Sequence, residues 1–549
     1  MTQQREHNHF TAHNLDRIFV KTQARIATQL PYNPTQQEYQ DILHDIPQII
    51  RATSHLDNLT MEGAFIELFW CLGHFYNGQG DYPEAEKWLH DDLEKATASF
   101  TLYHSTVARS LNLLGILHVI QGQYEEAKPL YEQAIEITPQ IVDDDEPDIT
   151  SYLNNLAALY YHQSRYDEAE GLYWEALDLT TELYGEDDPE RAEILNNLAT
   201  LLYDQGRFED SEIVCLEALA MLENDEEEEE NEYEIEPLTA EVLGNLAAVY
   251  RSQGKYQEAE LAYSEALTLT KLLFGEQHRS VGVMLNNLGE FYKERGDYQQ
   301  AENHYAEALA MHQTLFGELH PQVATSLHGL ATIYRIHYRY EDAEELFLQV
   351  LTLRRQLLGD DHSEVVGTMI NLAAIQEEQG RYSTAEKLLH HAFNKAEARF
   401  GETHPLTITA MGNLASLYSQ LEHYQKSQEL LLRSLALARQ VFGDTHVKVA
   451  RGLRNTAALC RAQGKYESAI ELGREALDMT TALVGEEHPE VVPCLKSLAL
   501  SHQSYHNSIM ACALLQQATE ILSSFLGRDH PETKANLALL DEWQRTVQK

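Results

Sequence analysis

Apolar residues in block 243–274 follow two successive helical stripes. Leu246, Ala247 and Tyr250 stand at i, i+1 and i+4, which is the spacing of one face of an amphipathic helix. Gly254 then interrupts the pattern, because glycine readily adopts the positive φ that ends a helix. A second stripe follows at Tyr256, Ala259, Tyr263 and Ala266. The block therefore predicts two helices joined by a tight turn, with small alanines that let the helices approach closely.

The same block recurs with a period of 42 residues. Its copies begin near Phe69 and Leu111, and at Leu153, Leu195, Leu243, Leu285, Leu327, Met369, Met411, Leu453 and Leu495. The one exception is the 48-residue step from Leu195 to Leu243, which contains the acidic segment 223–236. A lone helical pair cannot bury both of its faces, so the copies must stack. We expect an all-α solenoid of about eleven helix-turn-helix repeats.

The consensus N-L-A/G-x-x-Y-x-x-x-G-x-Y-x-x-A resembles the tetratricopeptide repeat, abbreviated TPR. The 42-residue period, with G-E/D-x-H-P between copies, resembles the long repeats of kinesin light chains and their bacterial relatives. The resemblance extends over about Thr60 to Lys549. It implies a right-handed superhelix with a concave groove that binds proteins, and we expect a bacterial member of the family.

Three regions are expected along the chain. Residues 1–58 match the repeat poorly and are predicted to form an N-terminal helical capping segment. Residues 59–530 form the repeat array, with the acidic insertion 223–236 in one loop between repeats, and residues 531–549 form a C-terminal capping helix. The acidic insertion is predicted to be a solvated loop, and a basic partner is the alternative interpretation.

The composition of the chain limits the kinds of binding partner and the cellular compartment that we expect. The formal net charge of -47 argues against nucleic acid or an anionic membrane surface as the main partner, since both would repel the chain. Five scattered cysteines without a C-x-x-C pair, and a polar N-terminus without a signal peptide, favour a cytoplasmic protein. We saw no apolar run of about 18 residues and expect no membrane insertion.

Seven histidines are spaced one repeat apart: His278, His320, His362, His404, His446, His488 and His530. Equivalent positions in neighbouring repeats lie roughly 8–10 Å or more apart, which is too far for histidines that share one metal ion. We therefore interpret each histidine as closing the turn into the next helix, and we expect no metal and no cofactor.

Seven asparagines occupy one register of the first helix and form what we call the asparagine ladder. They are Asn155, Asn197, Asn245, Asn287, Asn371, Asn413 and Asn455, and the ladder is broken at Gly329 and Ser497. Asparagine is a mediocre helix former, so its recurrence needs a reason. Two reasons stay open: hydrogen bonds to the neighbouring helix, or contact with the backbone of an extended peptide. The family resemblance places this register on the concave side.

Six residues after each ladder position lies a second register that the resemblance places on the groove. It contains Arg251, Lys293 and Arg335 in three consecutive repeats, which we call the cationic stripe, preceded by Tyr161 and Tyr203. The stripe favours an acidic peptide or a terminal carboxylate, because arginine can bind carboxylates bidentately. The alternative is ion pairing with the chain's own Glu290 or Glu294. The tyrosines are either aromatic anchors or packing residues.

No nucleotide-binding, metalloprotease or hydrolase motif occurs, and the repeats occupy almost the whole chain. We expect no catalytic residues. The favoured function is a protein-interaction scaffold, monomeric, that binds a peptide or partner protein in the groove. Two alternatives are a peptide-sensing regulator that changes curvature on binding, and an architectural homo-oligomer.

Overall fold

The computed structural model describes residues 20–28, 30, 42, 45–53, 63–100, 104–140, 149–223, 237–528 and 530–547. Within these ranges all regular secondary structure is helical and none is strand. The acidic insertion, apart from Glu223, lies outside the described residues, as does much of segment 1–58. The expectations about those two regions therefore stay predictions.

Eleven antiparallel helical pairs follow one another, as the periodicity predicted. The first helices of repeats 1 to 11 are Gly63–Gly78, Ser105–Ile120, Ile149–His162, Pro189–Asp204, Pro237–Ser252, Arg279–Glu294, Pro321–Ile336, Ser363–Glu378, Pro405–Gln420, Val447–Ala462 and Val492–Ser504. The second helices are Tyr82–Ser99, Tyr124–Ile137, Tyr166–Tyr184, Phe208–Glu223, Tyr256–Phe274, Tyr298–Phe316, Tyr340–Leu358, Tyr382–Phe400, Tyr424–Phe442, Tyr466–Val484 and Ser508–Leu526. Short 3-10 turns lie at Thr138–Gln140 and Pro489–Val491.

Each tight turn places one residue in the left-handed region, and glycine usually occupies it. Gly254 has φ 75°, where a side chain would be strained. Repeat 11 lacks this glycine, and His506 adopts φ 61° in its place. A left-handed non-glycine residue costs roughly 1–2 kcal/mol, so packing of the flanking helices must offset that cost in repeat 11.

The core is continuous from repeat to repeat. Tyr263 of repeat 5 is 2 % exposed and its ring lies 5.6 Å from that of Phe291 in repeat 6. Ala259 and Ala266 on the same helix are fully buried and let the backbones approach. One cluster of buried side chains extends from Leu153 to Met284 across repeat boundaries. Stability is therefore shared between neighbouring repeats rather than confined within each one.

The first helices form the inner side of the solenoid. First helices of consecutive repeats contact one another, whereas second helices of consecutive repeats make no comparable contacts. Elements on the inside of a curve must lie closer together than those outside it. The asparagine ladder and the cationic stripe, both on first helices, are thus on the concave half.

Successive turns of the superhelix touch. The tight turn of each of the first five repeats lies against the loop that precedes the first helix six repeats later, and the turn of repeat 6 lies against the loop before helix Pro531–Val547. The rings of Tyr166 and Phe442, for example, have centroids 6.1 Å apart although they belong to repeats 3 and 9. We call this line of contacts the seam. Six repeats complete one superhelical turn.

Helical segments lie at both ends of the array. Residues 20–27 and helix Ile46–Thr53 pack against repeat 1 through a cluster that includes Leu68 and Leu72. Helix Pro531–Val547 follows repeat 11, and its Leu540 and Trp543 pack on that repeat.

One described helix, Ser508–Leu526, is long and apolar enough to cross a membrane by length and composition, with a mean hydropathy of 1.3. It is not a continuous apolar run, since it contains Gln516, Gln517 and Glu520. In the structure this helix is the second helix of repeat 11, and its Leu515, Ala518 and Leu522 are buried in the core. One such helix is weak support for a membrane span, because core helices can meet the same test.

Candidate functional site

The repeat histidines are helix N-caps, as their interpretation predicted. The Nδ1 atom of His446 accepts a hydrogen bond from the Lys448 backbone N–H at 3.0 Å, and the same contact occurs at His320 and His488 with distances of 3.2 and 3.1 Å. A nitrogen that accepts cannot bear the proton, so the ring proton is on Nε2. These rings are therefore neutral.

Two of the repeat histidines, His362 and His446, also form hydrogen bonds across the seam through Nε2. That atom of His362 donates to the carbonyl of Ile120 at 3.0 Å, and that of His446 donates to the carbonyl of Asp204 at 3.3 Å. Burial lowers the pKa of His446 to about 4, and that of His488 equally to about 4. The sequence did not predict this second contact, because each pair lies 242 residues apart.

The asparagine ladder is in part a set of hydrogen bonds between repeats. The side-chain nitrogen of Asn155 donates to Asn112 at 3.0 Å, that of Asn197 to Asn154 at 3.1 Å, and that of Asn245 to Asn196 at 2.8 Å. The acceptor always belongs to the preceding repeat, one position before the ladder register. Asn371 makes the equivalent contact with His328 at 3.3 Å. The structural explanation therefore holds for these four asparagines.

The other three ladder asparagines have no such acceptor. Within the described chain, Asn287, Asn413 and Asn455 are half-buried and their side chains make no hydrogen bond. The acceptor position is the residue just before the ladder register of the preceding repeat. For these three asparagines it is occupied by Gly244, Ile370 and Gly412. Glycine and isoleucine offer no side-chain oxygen, so the amides stay unpaired.

One further side-chain amide, that of Asn286, lacks a hydrogen-bond partner next to the point where the ladder is interrupted. Asn286 is 7 % exposed, and neither its Oδ1 nor its Nδ2 has a partner. Its expected donor would come from position 329, which is glycine. A Cβ at Gly329 would lie only 2.3 Å from the Tyr305 ring, so the close approach of that ring explains the glycine and the missing donor.

Each member of the cationic stripe has a carboxylate partner in the chain. Arg251 Nε lies 3.2 Å from Glu294, and Arg335 Nη1 lies 3.0 Å from Glu378. Lys293 pairs with Glu290. Burial alone would lower the pKa of Arg251, but Glu294 together with Tyr263 and Tyr203 outweighs it and the pKa is raised. The stripe thus has its charge locally compensated.

The two tyrosines that precede the stripe also have polar partners. The Tyr161 hydroxyl donates to Asp204 at 2.6 Å, and the Tyr203 hydroxyl accepts from Arg251 at 3.0 Å and from Ser252 at 2.9 Å. Burial and the Asp204 carboxylate raise the pKa of Tyr161. Their role as aromatic anchors for a partner stays a prediction.

Sequence reasoning missed a cavity in the seam. It has a volume of about 480 Å³ and lies between the turns of repeats 4 and 5 and the loops before repeats 10 and 11. Helix Val447–Ala462, which forms part of its wall, contains four cationic residues and no acidic one. In so acidic a chain, that local composition was the signal that could have drawn attention to it.

No group of three histidine, cysteine or acidic side chains able to hold a metal occurs among the residues that the structure describes. The five cysteines form no disulfide within the part of the chain that the structure describes, and three of them, Cys71, Cys215 and Cys494, are buried.

Comparison with solved structures finds repeats of similar architecture. A putative kinesin light chain with nearly identical TPR-like repeats from Podospora anserina is 23 % identical, covering 37 % of this chain and 97 % of that one with a TM-score of 0.32. BtubC (BKLC) from P. vanneervenii is 24 % identical, covering 45 % and 94 % with a TM-score of 0.33. A Rap protein complexed with competence and sporulation factor is 13 % identical, covering 76 % and 98 % with a TM-score of 0.47.

No curated protein sequence matches the chain. The family model for the tetratricopeptide repeat matches it eight times, at residues 65–140, 148–224, 238–314, 280–356, 338–398, 364–440, 420–482 and 453–524. These matches extend over most of the eleven helical pairs. The chain belongs to the tetratricopeptide repeat family.

Proposed function

We propose that this protein is a non-catalytic scaffold that binds an extended peptide segment of a partner protein along the concave surface of its first helices. Tetratricopeptide repeats generally mediate contacts between proteins. The observation that supports the proposal is the row of unpaired amides at Asn286, Asn287, Asn413 and Asn455.

A half-buried amide that makes no hydrogen bond within the protein is free to bind a ligand. A peptide backbone offers both the donor and the acceptor that an asparagine amide needs. Asn413 and Asn455 stand at equivalent positions of repeats 9 and 10, so one extended segment could contact both. The same chain provides the contrast, since Asn155 and Asn197 already have partners.

Preference for an acidic partner follows from Lys293 and Arg335. Their side chains are 20 % and 34 % exposed, and each pairs with a glutamate of the chain. Surface ion pairs of this kind contribute only about 0–1 kcal/mol, so an incoming carboxylate can exchange with the resident one at small cost. Arg251 is less suited to exchange, because its side chain is only 12 % exposed and also bonds Tyr203.

Selection from a random peptide display library tests the proposal. Selected peptides would be measured by fluorescence anisotropy against the full-length protein, the double variant Asn413→Leu/Asn455→Leu and the control Asn394→Leu. Asn394 is exposed on a second helix, so its replacement matches the chemistry but lies on the outer half of the solenoid. We expect the double variant to bind at least ten-fold more weakly and the control to bind normally. Equal binding by all three proteins would refute the role of the concave amides.

The regulatory alternative is favoured by the seam. A change of curvature must break contacts such as the one between His362 and Ile120, so bound and free states would differ in discrete steps. Small-angle X-ray scattering with a selected peptide distinguishes the two. An altered radius of gyration supports a sensor, and an unchanged one supports a passive scaffold.

A further inference from the structure

The seam cavity joins two distant parts of the chain. One wall contains Arg251 and Tyr256 of repeat 5, and the other contains Lys448, Arg451 and Arg454 of repeat 10. Its volume of about 480 Å³ falls within the roughly 300–1,000 Å³ of pockets that hold small molecules. The peptide groove proposed above does not depend on it.

Three cations line one side of helix Val447–Ala462. Lys448, Arg451 and Arg454 are three residues apart, so each is a neighbour of the next on the helix surface; all three line the cavity and extend over about 9 Å at 1.5 Å per residue. Within the described chain none of the three side chains has an ion pair or a hydrogen bond. Lys448 does place its ammonium 4.3 Å from the ring centre of Phe442.

The carboxylates of the cavity do not neutralise these cations. Glu294 is paired with Arg251, and Asp204 accepts the Tyr161 hydroxyl. Glu490 attracts Arg451 without reaching salt-bridge distance. In a chain of net charge -47, a site where cations lack partners is an exception.

Two further observations favour an anion beside these cations. Burial and the neighbouring Arg454 lower the pKa of Arg451, and burial together with Arg451 lowers that of Lys448 despite the attraction of Asp204. Lys448 also lies in the first turn of its helix, where the helix dipole disfavours a cation.

We propose that the seam cavity binds a small anion with at least two negative charges, of the phosphate-monoester or diphosphate class, through Lys448, Arg451 and Arg454. Phosphate oxygens match the guanidinium fork and concentrate the required charge in a small volume. A ligand held there contacts both walls, so it ties repeats 4 and 5 to repeats 10 and 11. Occupancy of the cavity thereby stabilises the seam.

Isothermal titration calorimetry and thermal unfolding of the full-length protein, first dialysed free of phosphate, test this assignment. The probe is pyrophosphate, compared with succinate and with sodium chloride at matched ionic strength. We expect pyrophosphate to bind and to raise the unfolding midpoint, and Arg451→Gln and Arg454→Gln each to weaken its binding at least ten-fold. Arg474→Gln is the control, because Arg474 is exposed on the second helix of the same repeat and does not line the cavity.

The ligand-free variants provide a second, independent readout. Removing one of several unpaired like charges relieves repulsion, so Arg451→Gln and Arg454→Gln should unfold at or above the midpoint of the wild type. Variants that lose binding and keep or gain stability support the site. Undiminished pyrophosphate binding in both variants, an effect no larger than that of sodium chloride, or equally tight binding of succinate would each overturn the proposal.

Discussion

Replacing His446 by asparagine or by alanine separates the two contacts that its ring makes. Nδ1 caps a helix by accepting from Lys448, and Nε2 joins the seam by donating to Asp204. Asparagine is among the best N-caps but is too short to reach across the seam, whereas alanine supports neither contact. A cap and a hydrogen bond are each worth about 1 kcal/mol. At pH 7.5 we expect His446→Asn to cost about 1 kcal/mol and His446→Ala about 2–3 kcal/mol, including lost packing.

The effect of pH follows from the pKa of His446, which is about 4 in the folded protein against an ordinary value of 6.5. Burial is the main cause, and Lys448 and Arg451 add to it while the Asp204 carbonyl opposes it. Between pH 6.5 and pH 4, His446 is protonated in the unfolded chain but remains neutral in the folded protein. The stability that neutral His446 contributes is thus present above pH 6.5 and lost as pH falls toward 4. Between pH 7.5 and pH 5 the two values give a loss of about 2 kcal/mol.

The asparagine variant has no group at position 446 that titrates in this range. We therefore expect it to be about 1 kcal/mol less stable than the wild type at pH 7.5 and about 1 kcal/mol more stable at pH 5. Urea unfolding followed by circular dichroism at both pH values measures the difference, and hydrogen exchange in turn 203–207 reports on the seam itself. His391→Asn, at an exposed position, is the control.

A stability difference between wild type and His446→Asn that is the same at both pH values would refute the reasoning. So would equal stabilities of the asparagine and alanine variants, because the cap would then contribute nothing. Unchanged hydrogen exchange at turn 203–207 in the alanine variant would show that the seam does not depend on this histidine.

Three further predictions test the packing. Asn197→Leu leaves a buried amide of the preceding repeat without its donor and should lower the free energy of unfolding by about 1–3 kcal/mol. Asn413→Leu should change the free energy of unfolding by less than about 0.5 kcal/mol, and urea denaturation measures both variants. Gly329→Ala should destabilise the protein by about 1–3 kcal/mol, because the added Cβ would lie 2.3 Å from a tyrosine ring. Gly412→Ala, with open space around the added Cβ, should stabilise the protein by up to about 1 kcal/mol, and thermal unfolding measures both variants. Phe442→Ala removes a ring that packs across the seam and should increase the radius of gyration in small-angle X-ray scattering; an unchanged radius would show that the seam closes without it.

The fold was predictable because its determinants are local. Helix pairs follow from apolar stripes within 30 residues, and the turn between them follows from a residue such as Gly254 that adopts a positive φ. The histidine caps were predictable for the same reason, since Nδ1 of His446 bonds a backbone amide only two residues away. A 42-residue period then implies stacking, because no single pair can bury its faces.

The candidate site was predictable only in part. The register of the asparagine ladder was visible, but whether a given amide is free depends on the residue that the preceding repeat places beside it. Asn197 meets Asn154, whereas Asn413 has no side-chain acceptor at the equivalent position. The cationic stripe was visible too, and one of its open alternatives, pairing with Glu290 and Glu294, is what the structure contains.

By itself, the sequence determined the helical pairs, their number and their order, because these depend on contacts within a repeat and with the next one. The tertiary structure alone decided that repeats six apart meet. Small rotations between neighbouring repeats add up along the solenoid. Their sum places His446 beside Asp204, 242 positions earlier in the chain, and the residues around His446 do not reveal this contact. The seam, its cavity and the unpaired cations of helix Val447–Ala462 all arise from that sum.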